Sequence, residues 1–312
     1  MSSQNEDALT AIVGESPSIR RLKSYLPKIA ATDSTVLICG ETGTGKELVA
    51  RAVHQLSPRQ KRRLTYVNCA ALPDGLLESE LFGYERGAFT GAYARSEGLL
   101  KQTDGGTVVL DEIGDMNPIT QAKLLRVLEA REVQRLGAGS AEPLNVRFVA
   151  ATNQDLDSLM AQNRFRRDLF YRLNVLRVEL PALRARREDV PLLVEYFLRR
   201  LLTPLGLAPP PIDPAASDGL MCYDWPGNIR ELRNLLECLC ADLPPVITLE
   251  QLPAAMSKLS PEAQSHALSE RERLMSALLA TNWNKTKAAA QLQWSRMTLY
   301  RKLNKYDIGI DR

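Results

Sequence analysis

Two short stretches carry residues that can handle a nucleoside triphosphate. The first is GETGTGKE at residues 40–47, which directly follows an apolar run of strand length. Gly40, Gly43 and Gly45 let backbone N–H groups come close to phosphates, with Glu41, Thr42 and Thr44 between them. The helix that follows adds the positive end of its dipole, and Lys46 has the length to reach the β- and γ-phosphates. The spacing fits G-x-x-x-x-G-K, but Glu47 stands where a magnesium-ligating Ser or Thr is usual. The second stretch, TVVLDE at 107–112, is a strand that ends in two carboxylates. Asp111 can hold Mg2+, and Glu112 can polarise a water for attack on the γ-phosphate. Without a hydroxyl at position 47, Asp111 and waters must do more of the metal binding. Together the two stretches predict hydrolysis of a nucleoside triphosphate.

A third stretch, GYERGAFTGA at 83–92, follows neither the helical nor the strand period. Gly87 and Ala88 precede Phe89 and Thr90, and Gly91 and Ala92 follow them. Glycines free the backbone and make poor element interiors, so the Phe-Thr pair is expected at a tip and not in a core.

These residues need a scaffold. TVLICG (35–40), LTYVNC (64–69), TVVLDE (107–112) and VRFVAATN (146–153) are continuous apolar runs, as strands buried on both faces require. Helical segments alternate with them, such as PITQAKLLRVLEAREV with Leu124, Leu125 and Leu128 on one side. The alternation predicts an α/β layer with a parallel sheet. From Pro181 onward strand runs give way to amphipathic helices, REDVPLLVEYFLRRLL and NIRELRNLLECLCADL, separated by the proline-rich APPPIDP. The expected division is a short tail at 1–11, an α/β part at 12–180, a helical part at 181–250, a linker at 251–268 and a last unit at 269–312.

That last unit is where positive charge gathers. The net charge of the chain is only +3, so a basic surface must be local. Residues 284–306 hold Lys285, Lys287, Arg296, Arg301, Lys302 and Lys305 and no acid. KTKAAAQL reads as a short helix, and Ser295 can cap a second one from Arg296 onward. Two short helices with a basic second member fit a helix-turn-helix, with phosphate contacts from the lysines and arginines and base contacts from the start of the second helix, around Thr298. Five irregularly spaced cysteines and two histidines argue against a disulfide framework or a zinc site. MSSQNEDALT is too polar for a signal peptide, and no apolar run reaches membrane-spanning length, so a cytoplasmic protein is expected.

The motifs GETGTGKE, ESELFGYERGAFTGA, GGTVVLDEIGD, FRRDLFYRLNVL, LPALRARREDVP and WPGNIRELRN together resemble the AAA+ activators of sigma-54 RNA polymerase, over nearly the whole chain from Ile12. The resemblance implies an AAA+ P-loop ATPase with a parallel sheet, a helical lid and a C-terminal Fis-type helix-turn-helix that binds upstream DNA. In that family a glutamate after the P-loop lysine is usual, which accounts for Glu47. The resemblance implies that Asn68 is a polar switch on Glu112 and that Thr152 and Asn153 sense the γ-phosphate. Arg166 and Arg172, with Arg167 adjacent, correspond to arginine fingers given to a neighbouring subunit, and Arg230 to a second sensor from the lid. Fingers that act in trans imply a ring, in this family a hexamer. The loop from Gly87 to Ala92 would touch sigma-54 and move with ATP hydrolysis. Three departures stand out. Gln293 replaces the usual glycine of the DNA-binding turn, Lys101 stands where an acid is common, and only residues 1–11 precede the ATPase where many members carry a receiver. The last implies constant competence, truncation, or control by a separate regulatory protein.

Overall fold

The computed structural model describes residues 8–252 together with Lys285, Leu292 and Leu299. In chain order the first part holds α1 (Pro17–Ala30), β1 (Val36–Cys39), α2 (Lys46–Gln55), β2 (Leu64–Asn68), α3 (Asp74–Phe82), α4 (Gly98–Gln102) and β3 (Thr107–Asp111). It continues with α5 (Pro118–Ala130), β4 (Glu132–Val133), β5 (Glu142–Pro143), β6 (Arg147–Thr152), α6 (Leu156–Ala161), α7 (Arg167–Leu173) and β7 (Leu176–Glu179). Five strands form one parallel sheet in the order β2-β3-β6-β1-β7. The four apolar runs form β1, β2, β3 and β6. The fifth strand, β7, lacks such a run, because LRVE alternates and lies inside an arginine-rich stretch.

The continuous apolar character of the central strands has a direct cause: successive side chains enter opposite cores. Leu37, Val108, Leu110, Phe148 and Ala150 pack with Leu77, Leu81, Leu100, Leu124 and Phe170 of α3, α4, α5 and α7. Val36, Ile38, Val109, Val149 and Ala151 pack with Ile19, Leu26, Val49 and Val53 of α1 and α2. Strand register then levels the carboxyl ends, with Asn68 beside Asp111 and Cys39 beside Thr152. Open parallel sheets bind ligands at this edge.

Between α3 and α4 the chain makes an excursion, residues 83–97. Its base is closed by bridges from Tyr84 to Ser96 and to Leu136. Gly83 and Gly98 have φ of 78° and 74°, and a Cβ on either would collide with backbone of the other strand of the crossing. Only glycine permits two chains to cross so closely.

Beyond β7 the helices are α8 (Val190–Leu202), α9 (Pro214–Cys222) and α10 (Asn228–Ala241). By contacts the chain forms two compact units. One runs to Tyr196 and takes in Gly227–Leu232; the other holds Phe197–Pro226 and the residues from Arg233 on. The expected boundary at 181 therefore differs from the division by contacts. In the second unit the Trp225 indole is buried and donates to the Leu220 carbonyl at 2.9 Å, with Tyr223 edge-on at 5.0 Å. Leu252 closes the main described stretch, so the linker after it and most of 269–312 lie outside the described residues.

Candidate active site

The loop after β1 has the backbone that a phosphate cradle needs. Gly43 and Gly45 adopt φ of 79° and 104°, and a Cβ on Gly45 would meet nothing within 4 Å. Thr44 is buried, and its hydroxyl donates to the Glu41 carbonyl at 2.7 Å. Lys46 opens α2 and is only 7% exposed. Its Nζ donates to the carbonyls of Gly40 at 3.0 Å and Glu41 at 3.4 Å and lies 3.8 Å from the Glu112 carboxylate. Glu47 is exposed in the first helical turn.

The acids stand at the end of β3. Asp111 is half-buried, and its Oδ1 accepts the N–H of Glu112 at 3.0 Å. Glu112 is held at φ 51°, a left-handed conformation that side chains other than glycine rarely adopt. Such strain concentrates where a side chain must be aimed. Its Oε2 accepts the N–H of Asn153 at 3.2 Å, and the Asn153 carboxamide donates to the Thr42 hydroxyl at 2.8 Å. Thr152 is buried one residue before, its hydroxyl accepting from Gln154 N at 3.0 Å. Lys46, Glu112, Asn153 and Thr42 thus form one connected set. Asn68 is exposed, and its Oδ1 accepts from Ala70 N at 2.9 Å, so in this conformation it closes a turn and does not hold Glu112. Next to it, burial, reinforced by the charge of Asp111, pushes the Cys69 thiol up to about 12. A thiol kept protonated there supplies neither nucleophile nor thiolate ligand.

The residues fit a triphosphate with its metal. Among the described residues no cluster of three or more His, Cys, Asp or Glu can cage an ion. A hard cation at this edge would rest on Asp111, phosphate oxygens and water, which is how Mg2+ is commonly held.

Arg230 is exposed, with its Cβ 3.0 Å from where a Cβ on Gly43 would stand, so it borders the loop. Three neighbours escape the sequence expectations. Asn228 holds Glu41 and Thr42, Arg184 pairs with Glu41, and buried Arg186 donates to the Thr44 carbonyl at 3.2 Å. Their only sequence signal is membership of LPALRARREDVP and WPGNIRELRN. Arg166 and Arg172 sit apart from the connected set, exposed at the start and end of α7. They pair with Asp168 at 2.7 Å and Glu129 at 3.3 Å.

The Phe-Thr tip is on the surface. Gly87 and Gly91 take φ of 83° and 106° in open space, and Gly87 N donates to Ala92 O at 2.9 Å. Phe89 is 44% exposed, with its ring edge-on to Tyr84 at 5.0 Å. Thr90 is exposed, Ala88 half-buried and Ala92 buried. Ions lock the base of this excursion: Glu85 meets Arg135 at 2.7 Å, and Arg135 meets Glu142 at 2.6 Å. Lys101, at the position where an acid is common, joins that set through Glu142 at 4.0 Å and Asp104 at 3.3 Å. Of the DNA-binding candidates only Lys285 is described, half-exposed and helical; Lys287, Ser295, Arg296, Thr298, Arg301 and Lys302 lie outside the described residues.

Comparison with known proteins matches three families along the chain: the Sigma-54 interaction domain at residues 12–179, the AAA+ ATPase lid domain at 184–269 and the Fis family of bacterial regulatory proteins at 267–306. The transcriptional regulatory protein ZraR of Salmonella typhimurium is 48% identical over 301 residues, covering 94% of this chain and 68% of its own length. The Nif-specific regulatory protein of Azotobacter vinelandii is 44% identical over 292 residues, covering 90% of this chain and 56% of its own. NtrX from Brucella abortus, solved in complex with ATP, superposes with a TM-score of 0.74 at 35% identity, covering 95% of this chain and 69% of that one. No helix among the described residues is long and apolar enough to cross a membrane. A P-loop whose lysine lies beside a strand-end acid, followed along the sequence by matches to the AAA+ lid and to the Fis family, makes the chain a member of the sigma-54-dependent transcriptional activators.

Proposed function

We propose that the protein hydrolyses ATP with Mg2+ in a ring, in the form of a hexamer, and that hydrolysis drives the Phe-Thr loop against sigma-54 RNA polymerase held at a promoter. The observation that carries this reading is the connected set of Lys46, Glu112, Asn153 and Thr42 at the carboxyl edge of a sheet whose next helix pair carries an exposed Phe-Thr tip. Lys46 meets the β- and γ-phosphates, and Glu112 takes the proton of the attacking water, aimed by its strained backbone and by the Asn153 N–H. Asp111 would hold Mg2+, which would supply positive charge to offset that of the phosphate oxygens. In one nucleotide state Asn68 releases Ala70 N and turns its carboxamide so that Nδ2 donates to the Glu112 carboxylate, and Thr152 with Asn153 senses the γ-phosphate. Arg166 and Arg172, exposed on α7, complete the site of the next subunit, and Arg230 completes it from the lid side. The basic end, with Lys285, Lys287, Arg296, Arg301 and Lys302, anchors the ring to upstream DNA in the cytoplasm, and a separate regulatory protein can govern it.

The tip provides the test. Thr90→Ala and Phe89→Ala remove exposed groups, so melting temperature and ATP turnover stay near wild type, since surface changes usually cost within about 0.5 kcal/mol. Binding to sigma-54 with a transition-state analogue, and open-complex formation, are lost. If turnover and stability fall together while sigma-54 binding survives, the tip is a core element and the reading fails.

A further inference from the structure

The crown of the phosphate-binding loop is held from outside by one buried side chain. Asn228 is fully buried and sits at φ 53°, a conformation asparagine tolerates better than most residues. Both ends of its carboxamide are engaged. Oδ1 accepts the N–H of Leu183 at 2.7 Å; Nδ2 donates to the Thr42 carbonyl at 3.0 Å and to Glu41 Oε2 at 3.2 Å. The same carboxylate receives the Arg184 guanidinium through both oxygens, at 2.7 Å from Nη1 and closely from Nη2. Around this clasp the backbone closes too. Ile229 N donates to Gly43 O at 3.0 Å, and a Cβ at Gly43 would collide with the Gly227 carbonyl.

We infer that Asn228 is a positioning residue for nucleotide, which sets the shape of the 41–43 crown and the place of Arg230 together. The inference rests on the reading of this loop as the ATP site. The chemistry is that of an adaptor. Only a neutral amide can accept from a backbone N–H on one side and donate to a carboxylate and a carbonyl on the other. The carboxylate it grips is also the partner of Arg184, so three segments distant in sequence meet on Glu41. Preorganised backbone donors raise affinity because their ordering cost is met before the ligand arrives. Arg230 lies two residues along α10 from Asn228, and α10 itself runs from Asn228 to Ala241. A shift of the crown is therefore felt at the first turn of that helix.

The test uses the full chain and a fluorescent ATP analogue, with melting temperature measured on every variant. Asn228→Asp keeps the acceptor for Leu183 N but sets a second carboxylate against that of Glu41. The dissociation constant rises by about tenfold or more and KM rises with it, while kcat falls less. Glu41→Gln alone, which still accepts from Asn228, weakens binding by about threefold through loss of the Arg184 charge pair. The double variant restores a donor opposite the new carboxylate, and affinity returns to within about threefold of wild type. Normal affinity in Asn228→Asp, or a double variant as weak as the product of the two singles, overturns the inference. If Asn228→Asp fails to fold, Glu41→Ala carries the same decision: unchanged affinity overturns the clasp. Lys46→Ala separates the two readings. Equal binding by wild type and Lys46→Ala removes the ATP site itself, whereas loss in Lys46→Ala with no effect at position 228 removes only the role of Asn228.

Discussion

The two ends of the parallel sheet carry polar groups to opposite purposes. At the amino ends of the strands, Arg147 is 1% exposed, and its guanidinium donates to the carbonyls of Ala30 and Ile29, both at 2.9 Å, where α1 ends. Arg59 grips Asp33 through two nitrogens at 3.0 Å and also takes the carbonyls of Gly106 and Asn145. Charge there is committed to the protein's own carbonyls and to Asp33. At the carboxyl ends, Lys46, Glu112 and Asn153 are linked by longer contacts of 3.2–3.8 Å, and Glu112 sits on a strained backbone. Buried charge is tolerated where every contact is structural; where chemistry is to occur, the groups are aimed at each other and remain exchangeable.

The arginines give the sharpest way to break this contrast. Arg166 and Arg172 are exposed, and among the described residues they pair with Asp168 and Glu129. Arg166→Ala or Arg172→Ala is expected to cut ATP turnover by about a thousandfold, the scale of a lost arginine finger, with the melting temperature barely changed. Mixing either variant with Glu112→Gln restores part of the activity, because one intact pair of neighbours forms. No rescue at any ratio would assign the arginines to their own subunit.

Glu112→Gln tests the carboxyl end directly. The amide keeps an acceptor for Asn153 N but accepts no proton from water. Turnover is expected to fall by about a hundredfold to a thousandfold with ATP affinity retained. Phosphate release and nucleotide binding, measured side by side, check this; near-normal release would remove Glu112 from the reaction.

Arg147→Met reports on the other end. It leaves the carbonyls of Ala30 and Ile29 without their donors, and a buried unpaired acceptor costs about 1–3 kcal/mol. Urea unfolding is expected to show a loss of about 3 kcal/mol, with KM for ATP unchanged in the folded fraction. A change of KM with stability intact would join the two ends that the structure separates.

How much of this was legible in the sequence depends on the range of the interactions. The edge formed by Gly40, Asp111 and Thr152 was readable because each apolar run ends at a residue that can do chemistry, and parallel register then levels those ends. The two-residue strands β4 and β5 have no period to detect. The grip of Asn228 on Glu41 spans 187 positions, and no local spacing announces it. Arg147 reads as an interruption of an apolar strand because its carbonyl partners lie more than a hundred residues earlier. Asn68 was readable as the end of a strand, but its present partner, Ala70 N, is set by a turn.

The smallest expected effect belongs to His54, in the structural end. It is 4% exposed, and its Nδ1 lies 3.0 Å from the Thr107 hydroxyl. Burial lowers its proton affinity, and the positive charge of Arg147 lowers it further. The folded state thus binds a proton less readily than the unfolded chain, whose histidine titrates near 6.5. Where the unfolded chain holds more protons, stability rises with pH. The contribution of His54 is therefore complete above about 6.5 and is lost as pH falls below that value. The lowered carboxyls of Asp33, Glu41 and Asp104 work at lower pH, since their unfolded counterparts titrate near 4. Between about pH 7 and 5.5 the histidine term stands alone among these groups, with a slope of at most about 1.4 kcal/mol per pH unit for one proton. Unfolding of wild type and His54→Gln across that range should show a steeper loss in the wild type. Equal slopes would mean that His54 takes up its proton in the folded state, and that the amino end of the sheet is not the closed, committed structure that its arginines describe.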